Sequence, residues 1–297
     1  MRITQSMMGD SMMKNLQGNF KRLDKYQEQL MTNRRLNRPS DDPVGVASAL
    51  HYRAEISATT QFTDNVQDAD SFMKYTDEVL GEATQVIQKL SELAVQGASE
   101  TVPDDARENI AREVEQLYEH LVSLGNAQFK GKYIFNGQRI DQAPYPTDPA
   151  RENYELDHGI VQYQVGAGLY VDVNLIGDKV FGKFGATDSM FKVVDDLRKG
   201  LVDNNTAGIA DAIPRLQANL EKLTLSQAEV GAKQNRLEFT TSRLEDLNLN
   251  YIGLQSKTED VDMPKVITEL KTAESIFQAS LDTIARISRP SLLDFLR

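Results

Sequence analysis

Several short stretches of the chain carry side chains that could do chemistry, and each is short of a component. Glu155-Leu156-Asp157-His158 has the Glu-x-x-His spacing of a carboxylate metal site, but such a site draws two of these motifs and further glutamates from facing helices. This one stands alone beside a turn, so a surface loop is its expected place. Gly177-Asp178-Lys179-Val180-Phe181-Gly182-Lys183 opens like a phosphate-binding loop, yet Phe184 stands where a hydroxyl must hold Mg²⁺. Gly166-Ala167-Gly168 reads only as a turn. His51 lies four residues before Glu55, and His120 follows Glu119; both read as solvated helix faces. Cysteine is absent, which removes thiol nucleophiles, thiolate metal sites and disulfides together. The expectation is no enzyme: no catalytic residue, no metal site and no cofactor.

Two stretches point to contact rather than catalysis. Met7, Met8, Met12 and Met13 form either a pliable binding surface or the filling of an ordinary helix seam. Asn33-Arg34-Arg35-Leu36-Asn37-Arg38-Pro39-Ser40-Asp41-Asp42-Pro43 reads as an interhelix loop, with Ser and Asp available to cap the next helix and Pro43 at an early position.

The 297 residues carry 33 Lys+Arg against 44 Asp+Glu, a net charge of -11. That balance argues against nucleic acid and against anionic membrane surfaces. No run approaches the 18 apolar residues of a membrane span, and Met1-Arg2-Ile3-Thr4-Gln5-Ser6 lacks the apolar core of a cleaved secretion signal. These rules alone describe a soluble, cytoplasmic chain of about two domains.

What must position these stretches is mostly helix. Apolar residues alternate at spacings of four and three through Phe62, Val66, Ala69, Met73, Leu80, Ala83, Ile87, Leu90 and Ala94, interrupted only at Thr76. Ile110, Val114, Leu117, Leu121 and Leu124 repeat the seam after a break at Gly97–Asp105, where Pro103 suits a first turn and Asp104 and Asp105 suit a helix start. A third seam runs through Ile209, Leu216, Leu223, Val230, Leu237, Leu244 and Tyr251; Pro214 should kink that helix or mark its start. The terminal stripes are thinner: Met12, Leu16, Leu23, Tyr26 and Leu30, broken by Asn19, and Ile267, Leu270, Phe277, Leu281 and Ile284, broken by Glu274. Neither is wide enough to hold a lone helix in water.

Between 133 and 184 the helical period gives way to short alternating runs at Tyr133–Phe135, Val161–Val165 and Leu169–Leu175, with Asn136-Gly137 and Gly166–Gly168 as turns. The layout is helix, helix, helix, small sheet, helix, helix, with first paired to last and the second and third paired to the long downstream helix. The fold class is mostly α with a small β module: a long antiparallel helical rod formed by the N- and C-terminal halves, with a β-rich insert in the middle. The expected regions are 1–40 with 256–297 as a terminal coiled coil, 41–130 with 186–255 as the rod, and 131–185 as the β-rich outer part.

The wording of the loop at 33–43 resembles the bacterial flagellin family, in which a basic residue, Ile or Leu, Asn and a basic residue precede Ser-Asp-Asp. Leu90-Ser91-Glu92-Leu93-Ala94-Val95-Gln96, Gly231-Ala232-Lys233-Gln234-Asn235-Arg236-Leu237-Glu238 and Glu259-Asp260-Val261-Asp262-Met263 resemble further segments of that family, in its order. Ser40-Asp41-Asp42-Pro43, Gly131-Lys132-Tyr133-Ile134-Phe135-Asn136-Gly137 and the opening Met1-Arg2-Ile3-Thr4 resemble the members that join hook to filament more than the filament subunit.

The resemblance implies export through the flagellar type III channel, which revises the cytoplasmic location, and a non-enzymatic part of the hook–filament junction. It implies as partners further copies of itself in a ring, the first hook-associated protein on the hook side, flagellin on the filament side and a flagellar export chaperone, with no nucleic acid and no membrane insertion. The assembly interface would comprise Leu16, Leu23, Leu30, Ile267, Leu270, Phe277, Leu281 and Ile284. Asn37, Arg38, Ser40, Asp41 and Asp42 would make contacts between subunits. It also implies weak activation of the vertebrate flagellin receptor, because Lys89 and Ser91 stand where the family carries basic residues before Glu-Leu-Ala-Val-Gln. The bulk filament subunit is the alternative within the family; an intracellular coiled-coil scaffold or chaperone is the alternative of another class.

Overall fold

The computed structural model describes residues 5–99, 103–150, 154–183 and 185–287. Their order is α1 (Gln5–Thr32), α2 (Pro43–Ala98), α3 (Asp104–Gly125), β1 (Gln128–Phe129), β2 (Lys132–Tyr133), β3 (Gln162–Gly166), β4 (Leu169–Asp172), α4 (Gly177–Val180), α5 (Met190–Val202), α6 (Thr206–Glu259) and α7 (Met263–Ile287). The chain divides into two units, a central one of Thr59–Glu245 and a terminal one made of the residues up to Ala58 and from Asp246 onward. The three-region division read from the sequence concerns assembly and is taken up as a proposal below.

The central unit has one continuous core. The α2 seam from Val66 to Ala94, the α3 seam and the α6 seam from Ile209 to Leu244 all bury apolar side chains in it. Thr76 interrupts the α2 seam without cost to the core, because its buried hydroxyl donates to the Phe72 carbonyl at 2.8 Å. The end of α2 is closed by Arg107 of α3, 7% exposed, whose guanidinium donates to the carbonyls of Gly97 (3.2 Å) and Ser99 (3.0 Å). These are the orphan carbonyls of a helix end, satisfied by a cation where the helix dipole favours one.

Two expectations need correction here. Helix α5 is a separate element packed against α3, where the expected layout has no helix between the β module and the long downstream one. Its signal is present: Met190, Val193, Val194, Leu197 and Leu201 follow helical spacing and all are buried. Helix α6 then starts at Thr206, after Asn205 accepts the Gly208 N–H at 3.1 Å. Pro214 therefore lies inside the helix, where buried Ile209, Ala212 and Leu216 hold the turns on either side of the lost hydrogen bond.

The β-rich stretch forms two separate antiparallel ladders, β1–β2 and β3–β4. The first turns at Lys130-Gly131, with φ of +50° and +78°, the paired positive angles of a two-residue hairpin. Asn136-Gly137 does turn, with Arg139 N–H donating to the Asn136 carbonyl at 3.0 Å, but it joins no strand pair; Gly137 sits against the Asp157 backbone, where a Cβ would collide. The second hairpin turns at Ala167-Gly168 and carries an irregularity between Gln164 and Gly166. Strand β4 ends at Asp172 rather than running to Leu175, although Val173 N–H still donates to the Val161 carbonyl at 3.0 Å. The stretch shares the helical core through rings: Phe181 stacks on Phe191 of α5 at 5.5 Å, Tyr145 meets Phe191 at 4.9 Å, and Tyr118 of α3 meets the same ring edge-on at 6.3 Å.

In the terminal unit α1 pairs with α7. Leu16, Leu23, Tyr26, Leu30, Leu270, Phe277 and Ile284 are each half-buried, and Phe20 meets Phe277 at 5.9 Å between ring centroids. Asn19, which breaks the apolar stripe, is among the most buried positions of α1 at 8% exposure, and it donates to Ser280 Oγ at 2.8 Å.

Candidate assembly site

The two loops of the terminal unit lie against each other. Helix α1 ends in Asn33, whose φ of +55° is a left-handed helix stop. The chain then pairs with the short loop after α6: Arg35 N–H donates to the Glu259 carbonyl at 2.6 Å, Val261 N–H to the Asn33 carbonyl at 3.3 Å, and Arg34 bridges Asp260. The Arg35 guanidinium reaches the Thr258 carbonyl (2.9 Å), and buried Gln29 donates to the Arg35 carbonyl (3.0 Å). Leu36, 8% exposed, plugs the loop from below.

A buried carboxylate pins this junction. Glu259, 4% exposed, pairs with Arg53 of α2 at 2.5 Å and accepts the Gln255 amide at 3.1 Å. Burial pushes its carboxyl up, but the hydrogen bonds from Arg53 and Gln255 and the charges of Arg53 and Arg34 outweigh it, so the net direction is down. Nothing local in the sequence marks the pair, since its members are brought together only by the crossing of the two chain halves. The Gln255–Glu259 spacing of four is the sole signal.

The loop residues picked out from the sequence are mostly engaged within the chain. Asp41 Oδ2 accepts the N–H groups of Asn37 (3.3 Å) and Arg38 (3.0 Å). Asp42 caps α2, accepting Gly45 N–H at 3.0 Å, with Pro43 at the first helical position. Arg38 pairs with Glu28 at 3.0 Å, and Asn37 donates to the Arg34 carbonyl at 3.3 Å. Ser40 is exposed. The acids thus build the loop, and the surface it offers outward is Arg38, Pro39 and Ser40.

On the α1–α7 surface, six of the eight apolar residues named above face the seam in part, whereas Ile267 (46%) and Leu281 (44%) point outward. Met13, Phe20, Met31 and Ile276 are exposed as well. Two open grooves run along the pair, one of about 370 Å³ lined by Met12, Leu16, Ile276 and Ile284 and one of about 210 Å³ beside Asn19, Tyr26 and Glu269. Burial and a hydrogen bond with Glu269 push the Tyr26 phenol up.

The remaining chemical candidates fall into ordinary roles. His158 lies 3.4 Å from Asp178, whose carboxyl burial pushes up against the charges of His158 and Lys183. The stretch is a surface loop with Glu155 and His158 exposed, anchored by buried Leu156 and by Asp157, which accepts the Gln138 N–H at 2.7 Å. Gly177–Val180 is a four-residue helix whose Val180 and following Phe181 enter the core; Phe184 lies outside the described residues. His51 stands 3.9 Å from Glu55 on an open face, and His120 is exposed. Among the described residues no cluster of His, Asp and Glu is placed to hold a metal ion, and no helix is long and apolar enough to cross a membrane.

The family model described as the bacterial flagellin N-terminal helical region matches residues 3–139, and that of the C-terminal helical region matches residues 213–296. The chain is 26% identical to flagellar hook-associated protein 3 of Escherichia coli, over 94% of this chain and 95% of that protein. It is also 26% identical to flagellin of Bacillus subtilis, over the whole of both. The crystal structure of the flagellar junction protein FlgL from Legionella pneumophila shares its fold, with a TM-score of 0.58 at 17% identity, over 73% of this chain and all of that one. The two matched regions take in the terminal helices, both crossing loops and the long seams, and the chain belongs to the bacterial flagellin family.

Proposed function

We propose that this chain is a non-enzymatic structural part of the bacterial flagellum that joins hook to filament. The observation that carries this reading is the α1–α7 pair, whose apolar side chains one chain covers only in part. Leu16, Leu23, Leu30, Leu270, Phe277 and Ile284 pair within the chain first; Ile267 and Leu281 are then covered by neighbouring copies. In this reading 1–40 with 256–297 is the polymerising region, 41–130 with 186–255 the rod, and 131–185 the outer part. Ordering the terminal helices costs roughly 1–2 kcal/mol per residue, recovered when neighbours arrive, so folding of the ends and assembly proceed together.

The chain leaves the cell through the flagellar export channel, held beforehand by a chaperone on α7. It meets the first hook-associated protein on one side and flagellin on the other, and Arg38 and Ser40 of the exposed loop contact the adjacent subunit. The identity with the Escherichia coli protein over nearly full length and the run Gly131–Gly137 support the junction over the filament. The equal identity to the Bacillus subtilis flagellin keeps a second reading, the bulk filament subunit. Deleting the gene separates them. Bare hooks with flagellin shed into the medium are expected for a junction part. Bare hooks with no major flagellar protein outside the cell make the chain the filament subunit, and intact filaments overturn both.

A further inference from the structure

The chain has no cysteine and nine methionines, so the thioether is its only sulfur. Those methionines are unevenly placed. Met73 and Met190 are fully enclosed in the central core at 0% exposure, whereas on α1 Met7 is 62%, Met8 42%, Met13 51% and Met31 84% exposed. Spacings of seven and eleven residues put Met13, Phe20 (55% exposed) and Met31 on one side of the helix, beside the half-buried seam. Met12 is half-buried and lines an open groove of the α1–α7 pair with Leu16 and Ile284. Met13 and Met31 thus open to solvent on the side of α1 that assembly would cover.

We propose that α1 carries an oxidation site: hydroperoxides convert Met7, Met8, Met12, Met13 and Met31 to sulfoxides in the unassembled chain, and this blocks the α1 surface from being covered. The sulfur lone pair attacks the outer peroxide oxygen and the O–O bond breaks. One oxygen stays as S=O, and the other leaves as hydroxide and takes a proton to become water. Sulfur is oxidised by two electrons and the peroxide is reduced. The product is polar at a position built to be buried against apolar neighbours, which disfavours burial; methionine sulfoxide reductases reverse it. The effect on assembly rests on the junction reading above.

The experiment treats the full-length chain with dilute hydrogen peroxide, maps sulfoxides by peptide mass spectrometry, and measures addition to isolated hooks that carry the first hook-associated protein. Met7, Met8, Met13 and Met31 should oxidise first and Met12 more slowly, with Met73 and Met190 intact, and addition should weaken by at least about tenfold. Sulfoxide reductase treatment should restore it. A variant with Met7, Met8, Met12, Met13 and Met31 all replaced by Leu should add to hooks equally well before and after peroxide. Equal oxidation of Met73 and Met190 overturns the site, and undiminished addition of the oxidised chain overturns the block while leaving the junction reading standing. Loss of addition in the peroxide-treated Leu variant also overturns the proposal. If even the untreated chain fails to add, the junction reading falls and the block falls with it.

Discussion

The central and terminal units draw on the same two long helices, α2 and α6, yet hold themselves together differently. Buried apolar side chains in the terminal unit are Leu36, Ala49 and Val266; all others belong to the central core. Exposure runs the other way, since most of the large apolar side chains open to solvent, from Met13 and Phe20 to Ile267 and Leu281, are in the terminal unit. The central unit is stabilised by burial, which scales at about 25 cal/mol per Å². The terminal unit relies on a carboxylate pinned between loops and on polar contacts such as Asn19 with Ser280. One buries its apolar side chains within the chain; the other leaves many of its own open to solvent.

The widest difference should come from truncating one residue in each. Phe191→Ala removes a ring at 0% exposure that meets Tyr118, Tyr145 and Phe181, and should cost about 3–5 kcal/mol, seen by calorimetry as a fall in Tm of roughly 10 °C. Leu23→Ala, at a half-buried site, should cost the free chain about 1 kcal/mol or less while abolishing attachment to hooks. Similar Tm losses for both would erase the distinction. Hydrogen exchange on the full-length chain offers a second view: amides of α1 and α7 should exchange far faster than those of the α2 seam.

Next in size is the loop junction. Arg53→Ala leaves Glu259 buried without its cation and should loosen the terminal unit by about 1–3 kcal/mol. Because the folded state lowers the Glu259 carboxyl below its ordinary 4.5, its contribution is present above that value and is lost as pH falls through the lowered folded one. Protection of the amides at residues 33–37 and 258–262, corrected for the intrinsic slowing of exchange in acid, should therefore fall as pH drops below the ordinary 4.5. The Arg53→Ala chain should show a flatter response, and an identical pH response would remove Glu259 from the account.

Smaller again is the cap. Asp42→Ala should cost about 1 kcal/mol at the start of α2 and Asp42→Asn very little, since either Asp or Asn serves as a cap. Asp41 holds two backbone N–H groups, so Asp41→Ala should disorder the loop locally, measurable as faster exchange at Asn37 and Arg38.

What could be read in advance follows the range of the interactions. The seams were legible because burial on a helix repeats every three or four residues, and Val66 through Leu244 obey it. Helix α5 carries the same pattern but is only 13 residues long, too short for the pattern to stand out. The turn at Lys130-Gly131 carries little local signal, because Lys rarely takes positive φ. Arg53 with Glu259, and Asn19 with Ser280, join residues from opposite ends of the chain, and no local rule reaches them. Asn19 even reads locally as a defect in the stripe it completes.

The smallest effect concerns the surface of α2 before Glu92. The flagellin resemblance places receptor-contacting basic residues where this chain has Lys89 and Ser91. Lys89 lies 3.7 Å from Glu92 and 3.8 Å from Glu113, so part of its charge is answered within the chain. Ser91 is half-buried and turns its hydroxyl back to the Ile87 carbonyl at 2.9 Å. Neither offers the planar, two-pronged donor set of a guanidinium. Purified chain applied to reporter cells bearing the vertebrate flagellin receptor should be less potent than flagellin, and Lys89→Arg should recover only part of the gap, because Ser91 still lacks a cation. Potency equal to flagellin would mean that recognition rests on the apolar edge of this helix, where Val95 is 59% exposed, rather than on its basic one.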